Sequence, residues 1–324
     1  MSAEQLAEVS DLFVVVTVLL YLFSMIAFAL ELAFGRVRAN APAVPARRPV
    51  AVGAGSGGAS IEPAEPAEPA EPADSAEPAG VEPPRWAAMA GVAGLALGWL
   101  GMAANLAAIL TRGLAVERWP WGNMYEFVVA ICFAAVAAFL LTQLRYNVRF
   151  LGAFVMVAAA LGLGFAALLL YTSAGPVVPA LDSYWVAIHV SAAILASGLF
   201  VVAAASGGLY LVRGDGLSRL PSRADLERVA HRAIVVAFPL WTFAVIAGAL
   251  WADKAWGRYW GWDPKEVWSF ITWVAYAAYL HARATGGWRG RPATIIQLVA
   301  FACLMFNLVG VNILISGLHS YADV

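Results

Sequence analysis

The chain has 324 residues, 62% of them hydrophobic and 13% charged, with a formal net charge of -1 and a mean hydropathy of +0.75. That balance excludes an ordinary soluble domain and identifies an integral membrane protein. The near-zero net charge says little about partners, because what matters is where the 20 basic residues lie; nucleic acid is not expected among them.

A bilayer is crossed by about 20 consecutive apolar residues. Eight such spans can be counted, at roughly 12–34, 86–110, 125–144, 150–171, 184–212, 231–252, 265–284 and 293–316. The expected fold is therefore an all-α polytopic membrane protein with about eight transmembrane helices. The first span follows an acidic start (Glu4, Glu8, Asp11) with no basic n-region and no small-residue cleavage site, so residues 1–35 are expected to stay as a helix. Residues 36–85 are rich in Pro, Ala and Glu and carry an EPA repeat at 62–73. With almost no large apolar side chain they cannot bury a core, and a disordered cytoplasmic linker is expected there. Residues 86–324 are left as a seven-helix core.

The basic residues set the orientation. Fifteen of them, from Arg36 through Arg291, fall in one alternate set of loops, and five, Arg112, Arg118, Lys254, Arg258 and Lys265, fall in the other. The positive-inside bias then puts both termini outside the cytoplasm. The outer loops are those near residues 111–124, 172–183 and 253–264.

Residues 256–273 read WGRYWGWDPKEVWSFITW, and with Trp251 this window holds six of the 13 tryptophans. Rings interleaved with Lys254, Arg258, Asp263, Lys265 and Glu266 suit a large, flat, partly charged ligand, and Arg258, Lys254 or Lys265 could each reach its acidic substituents. Asp263 is a good N-cap, Pro264 suits the first helical position and Glu266 falls at the third, which predicts a loop entering a helix through a capping box. The competing reading is an aromatic belt at the membrane interface, but a belt needs no fixed order of residues. A second stretch on the same side, Trp119-Pro120-Trp121-Gly122-Asn123-Met124-Tyr125-Glu126, would extend the aromatic surface or serve as such a belt. Glu126 there reads as a first-turn charge favoured by the helix dipole.

The run from Trp256 to Trp268, WGxYWxWDPKExW in pattern, resembles the tryptophan-rich WWD signature of haem-handling proteins in cytochrome c biogenesis. Tyr259 before the second Trp and Pro-Lys-Glu after Asp263 make it similar to the CcsA (also called ResC) branch of the system II cytochrome c synthase. The resemblance covers residues 86–324, with the WWD loop at about 251–268. It implies haem b as ligand and substrate, and a partner of the CcsB or ResB type. It also implies apocytochrome c as the acceptor, and a multi-pass protein of the bacterial cytoplasmic membrane with its haem site on the extracytoplasmic face. Nothing like the partner's large extracytoplasmic domain occurs in the chain, so it would be one subunit of a holocytochrome c synthase.

Four histidines are present. His189 and His319 fall near the outer ends of the fifth and eighth spans, level with the WWD loop. Neutral imidazole is a good axial ligand for haem iron, so the pair suggests a bis-His site against a platform of Trp256, Tyr259, Trp260 and Trp262. Arg258, Asp263, Trp119 and Trp121 complete the expected haem-binding set. His281 lies about 25 Å along the seventh helix from Pro264. It reads either as an interfacial residue or, as the resemblance implies, as one ligand of an inner haem entry site whose other ligand is the partner's. His231 is expected in a solvated loop. Cys132 and Cys303 sit in apolar spans without CxxC spacing and read as small buried hydrophobes, so a separate thiol-reducing protein is an expected further partner.

The sequence thus reads as a membrane subunit that binds haem, carries it across the membrane and presents it for thioether attachment to CxxCH motifs. Two alternatives remain at this point: a WWD protein that only loads a haem chaperone, and a non-haem transporter or quinone-linked subunit.

Overall fold

The computed structural model describes residues 1–35, 84–213 and 219–319. The linker expected at 36–85, with its EPA repeat, falls outside the described residues except for its last two. Among the described residues there are eight long helices and no strand: α1 (Ala3–Phe34), α2 (Arg85–Val116), α3 (Met124–Arg145), α4 (Gly152–Leu169), α5 (Tyr184–Val212), α6 (Arg223–Trp256), α7 (Pro264–Thr285) and α8 (Arg291–Met305). After α8 the chain widens into a π-helical turn, Phe306–Gly310, and continues as one further turn, α9 (Val311–Leu314).

Each of the eight expected spans carries a helix. Seven are long and apolar enough to cross a membrane: α1, α2, α3, α5, α6, the run Arg149–Leu169 and the rod Arg291–Leu314. The protein is thus an all-α polytopic membrane protein. α7 is not among the seven, because Lys265, Glu266, Ser269, Thr272 and a series of Trp and Tyr side chains dilute its apolar content.

Helix α1 lies along α2 and also packs on α4. Small residues on α2 allow the close approach that membrane helices use. A Cβ on Gly94 would come within 3.1 Å of the Phe28 ring, and one on Gly101 within 2.6 Å of Tyr21. Ser24 and Ser10 donate across this seam to the Gly94 and Ala108 carbonyls, at 2.7 and 2.8 Å. One apolar core fills the space among α1 to α5. A second lies among α5, α6, α7 and α8, where Phe200 stacks on Tyr276 at 3.8 Å. Phe127 and Ile131 of α3 touch both cores. At one end of this double core the connections α2–α3, α4–α5 and α6–α7 converge over a cavity.

His231 departs from expectation. It lies within α6, not in a loop, and its Nδ1 is 3.4 Å from the Tyr279 hydroxyl. The helix begins at Arg223, capped by Ser222, so the charged run 223–232 forms its first turns.

Candidate functional site: an aromatic cavity with two oriented histidines

Helix α6 stops at Trp256 because Gly257 takes the left-handed conformation (φ 70°) that closes a helix, its N–H donating to Asp253 O at 2.9 Å. Six residues later Asp263 caps α7, and the expected capping box is present. Glu266 Oε2 accepts from the N–H groups of both Gly261 and Asp263, at 2.8 and 3.0 Å. One carboxylate therefore pins the Trp-rich loop to the helix that follows it. The loop holds Trp262 at φ 61°, a left-handed conformation that is uncommon for a bulky residue.

The cavity beneath this loop has an empty volume, its open mouth included, of about 1160 Å³. Trp241, Trp251 and Trp256 of α6 line it together with Tyr259, Trp260 and Trp121. Trp251 and Trp256 meet edge to face at 4.8 Å. Trp251 is fixed by its indole N–H, which donates to Ala180 O at 2.9 Å. Trp241 donates to Ser269 O at 3.2 Å, tying α6 to α7.

His189 and His319 both line this cavity. The His189 ring stacks on Trp251 at 6.2 Å, and the His319 ring stands edge-on to Trp251 and Trp256 at 5.6 and 5.0 Å. His189 lies where a Cβ on Gly248 would come within 2.7 Å of Cε1, so only glycine there admits the ring. Its Nδ1 is 2.7 Å from the Ala244 carbonyl. A carbonyl only accepts, so Nδ1 carries the proton and Nε2 the lone pair. His319 Nδ1–H donates to Asp263 Oδ2 at 2.8 Å, the carboxylate–imidazole arrangement that orients histidine ligands.

Asp263 is thus both helix cap and histidine holder. Its Oδ1 accepts from the Leu318 N–H at 2.7 Å. Burial works against its charge, but the hydrogen bonds from His319 and the backbone outweigh that and hold its pKa below the ordinary aspartate value.

The other expected site residues are distributed unevenly. Trp262 is 69% exposed and Trp119 65% exposed, and neither lines the cavity. Arg258 folds back over Gly261, where a Cβ would overlap its guanidinium. Lys254 is exposed beside Asp253, at 3.7 Å. Among the three cations named from sequence, Lys265 is the one on the cavity wall. His281 is near the far end of α7, exposed and away from the cavity. Glu126 does sit in the first turn of α3, but it is 3% exposed and bound by two arginines, Arg112 Nε at 3.1 Å and Arg118 Nη1 at 2.9 Å. It also accepts from the Gly122 N–H at 2.8 Å, and so fixes the wall that carries Trp121.

Among the cavity residues that escaped the sequence reading are Trp241, Asn307 and Asn312. The asparagines had a legible signal, since polar side chains inside an apolar span tend to mark function. Among the described residues no group of three or more His, Cys, Asp and Glu is gathered as for a bare metal ion.

Comparison with known proteins agrees with this architecture. Residues 121–319, which run from the Trp121 wall to His319, match the family described as Cytochrome C assembly protein. The cytochrome c biogenesis protein CcsA of Synechococcus elongatus is 36% identical over 287 residues, covering 71% of this chain and 86% of that protein. CcsA of a Synechocystis species is 33% identical over 305 residues, covering 74% and 90%. Among solved structures, the cytochrome c haem lyase CcmF aligns with a TM-score of 0.59 at 15% identity over 95% of this chain. This chain spans about half of that one (47%), and the likeness is one of fold. With the matched segment enclosing the whole cavity and the relatives aligned over most of their length, the chain belongs to the cytochrome c assembly proteins, and within them to the CcsA family.

Proposed function

We propose that the chain binds haem b in the aromatic cavity, with His189 and His319 as the two axial ligands, and presents it for covalent attachment to apocytochrome c. The observation that carries this reading is the pair of imidazoles on one cavity, each oriented through Nδ1 by a fixed acceptor. Two imidazoles suit the two axial positions of an iron already held by a macrocycle, and flat indole walls suit the macrocycle. In thioether formation a cysteine S–H adds across a vinyl C=C. Sulfur bonds one carbon and the proton ends on the other, so the step itself consumes no oxidant or reductant. Such a reaction depends on placing thiol and vinyl together.

On this reading α7 crosses the membrane with the other seven helices. Its 22 residues give about 33 Å at 1.5 Å per residue. An even count puts both termini on one side, the bias of arginines to the other loops supports that side being outside the cytoplasm, and the cavity then opens on the extracytoplasmic face of a bacterial cytoplasmic membrane. His281, exposed on α7, would ligate haem at an inner entry site together with a residue of a CcsB or ResB type subunit, and haem would pass from there to the outer cavity. The relatives' name, cytochrome c biogenesis protein, and the fold shared with a haem lyase support the cytochrome c part of this reading.

Co-expression of the chain with such a subunit and an apocytochrome c, in cells lacking their own maturation system, tests it. The expected product is cytochrome c whose haem survives denaturation and acid–acetone extraction. Haem on the chain but none on the cytochrome would favour the alternative of a protein that only loads a chaperone.

A further inference from the structure

We infer that Lys265 and Asn307 form a carboxylate subsite at the α7 end of the cavity, taking a propionate of the bound porphyrin. This rests on the haem reading above and assigns the polar end of the same site.

Lys265 lies on the cavity wall, and its ammonium donates to Asn307 O and Asn312 Oδ1, both at 2.8 Å. An ammonium has three N–H donors, so one remains. Both acceptors are neutral, and among the described residues no carboxylate lies within 4.0 Å of the ammonium. Neighbouring Asp263 is engaged by His319, Leu318 and the Lys265 backbone N–H. Glu266 accepts from the loop amides through Oε2, while its buried Oε1 has no hydrogen-bond partner. With neutral direct partners and the Asp263 charge acting only from beyond contact, this buried cation is costly, and a ligand carboxylate entering the cavity lowers that cost.

The second observation is independent of the lysine. The Asn307 side chain is 2% exposed, lines the cavity, and has an Oδ1 with no hydrogen-bond partner. Buried amides are ordinarily satisfied. The O and N of a terminal amide are assigned by their partners, and with a carboxylate beside it the amide turns to present its N–H₂. Asn307 stands in the π-helical turn that interrupts the last helix, a feature that recurs at functional sites. The turn directs the Asn307 carbonyl at the ammonium. Asn312, five residues on, braces it with Oδ1 while its Nδ2 donates to Leu308 O at 2.8 Å. The polar groups are thus gathered at one side of an otherwise aromatic chamber, the distribution that would fix which edge of an amphipathic ring enters first.

The test is a spectroscopic titration of the full-length purified protein with iron protoporphyrin IX and with its dimethyl ester, whose propionates carry no charge. Wild type should bind the free acid more tightly than the ester, on the order of tenfold or more, the scale of hydrogen bonds to a charged group. Lys265→Gln should bring that ratio near one with little change in ester binding, Lys265→Arg should keep most of it, and Asn307→Leu should reduce it. The ratio within one variant does not depend on the fraction folded. A Lys265→Gln protein that keeps the wild-type preference, or a wild type with none, overturns the subsite while leaving haem binding intact. A wild type that binds neither porphyrin overturns the haem reading and the subsite with it.

Discussion

Asp263 and His319, 56 residues apart in sequence, meet in a 2.8 Å hydrogen bond from imidazole Nδ1 to carboxylate Oδ2. The same carboxylate caps α7. The start of the helix after the Trp-rich loop and the orientation of a cavity histidine therefore depend on one side chain, and the two roles can be separated by substitution. Asparagine still caps but lacks the charge that holds the imidazole. Asp263→Asn should keep thermal stability close to wild type and lower haem affinity by about tenfold or more, the scale for loss of a ligand-orienting partner. Asp263→Ala should lose both, with about 0.5–2 kcal/mol of stability gone with the cap. Thermal unfolding in detergent and haem titration measure the two effects. Equal losses in both variants would show that the cap and the imidazole bond are not separable.

The direction of the Asp263 pKa gives a pH dependence. Its folded value is held below the ordinary one, so the stability it contributes is fully present above the unfolded aspartate value and is lost as pH falls through the lowered folded value. In the haem-free protein, the difference in unfolding midpoint between wild type and Asp263→Ala should stay level from neutral pH down to about 4, where an ordinary aspartate titrates, and shrink below that. A difference that already declines between pH 7 and 5 would contradict the lowered pKa.

Glu126 joins Arg112 and Arg118 in a buried cluster that also fixes Gly122 of the cavity wall. Removing one member of a buried ion pair leaves the other uncompensated, at about 3–5 kcal/mol. Glu126→Ala should therefore lower the unfolding midpoint more than Arg118→Met, because it abandons two guanidinium groups where the other abandons a carboxylate still bound by Arg112. Unfolding followed by Trp fluorescence decides this, and the reverse order would place the cluster's main dependence on Arg118.

Trp262 is exposed and held at positive φ, a conformation costing about 1–3 kcal/mol for a non-glycine residue. Glycine removes that cost and forfeits little burial. Trp262→Gly should leave stability unchanged or raised by about 1 kcal/mol, while lowering cytochrome c yield if the ring contacts the apocytochrome or partner subunit. Stability falling by more than about 1 kcal/mol would mean that the ring packs in the folded protein.

What was legible in the sequence was local. Seven of the helical spans show as long apolar runs, and the capping box as Asp-Pro-Lys-Glu, because both signals lie within a few turns of chain. What was not legible comes from tertiary approach. Nothing near Asp263 announces His319, nothing near Glu126 announces that Arg112 and Arg118 will bury it, and the π-helical turn that places Asn307 has no periodicity to betray it. The choice of Lys265 over Arg258 as the cavity's cation depended on Arg258 folding over Gly261, which spacing alone does not reveal. His231 was misplaced because a charged run at 223–232 looks like a loop when the helix it begins is read only from its apolar part.

The central claim, that His189 and His319 ligate one haem in the aromatic cavity, is tested most directly by the absorption spectrum of the full-length protein purified with haem. The expected wild-type spectrum is six-coordinate, low-spin and bis-histidine. His189→Gly and His319→Gly should each lose that signature and regain it when imidazole is added. A low-spin spectrum unchanged in both variants, without imidazole, would remove these residues as ligands.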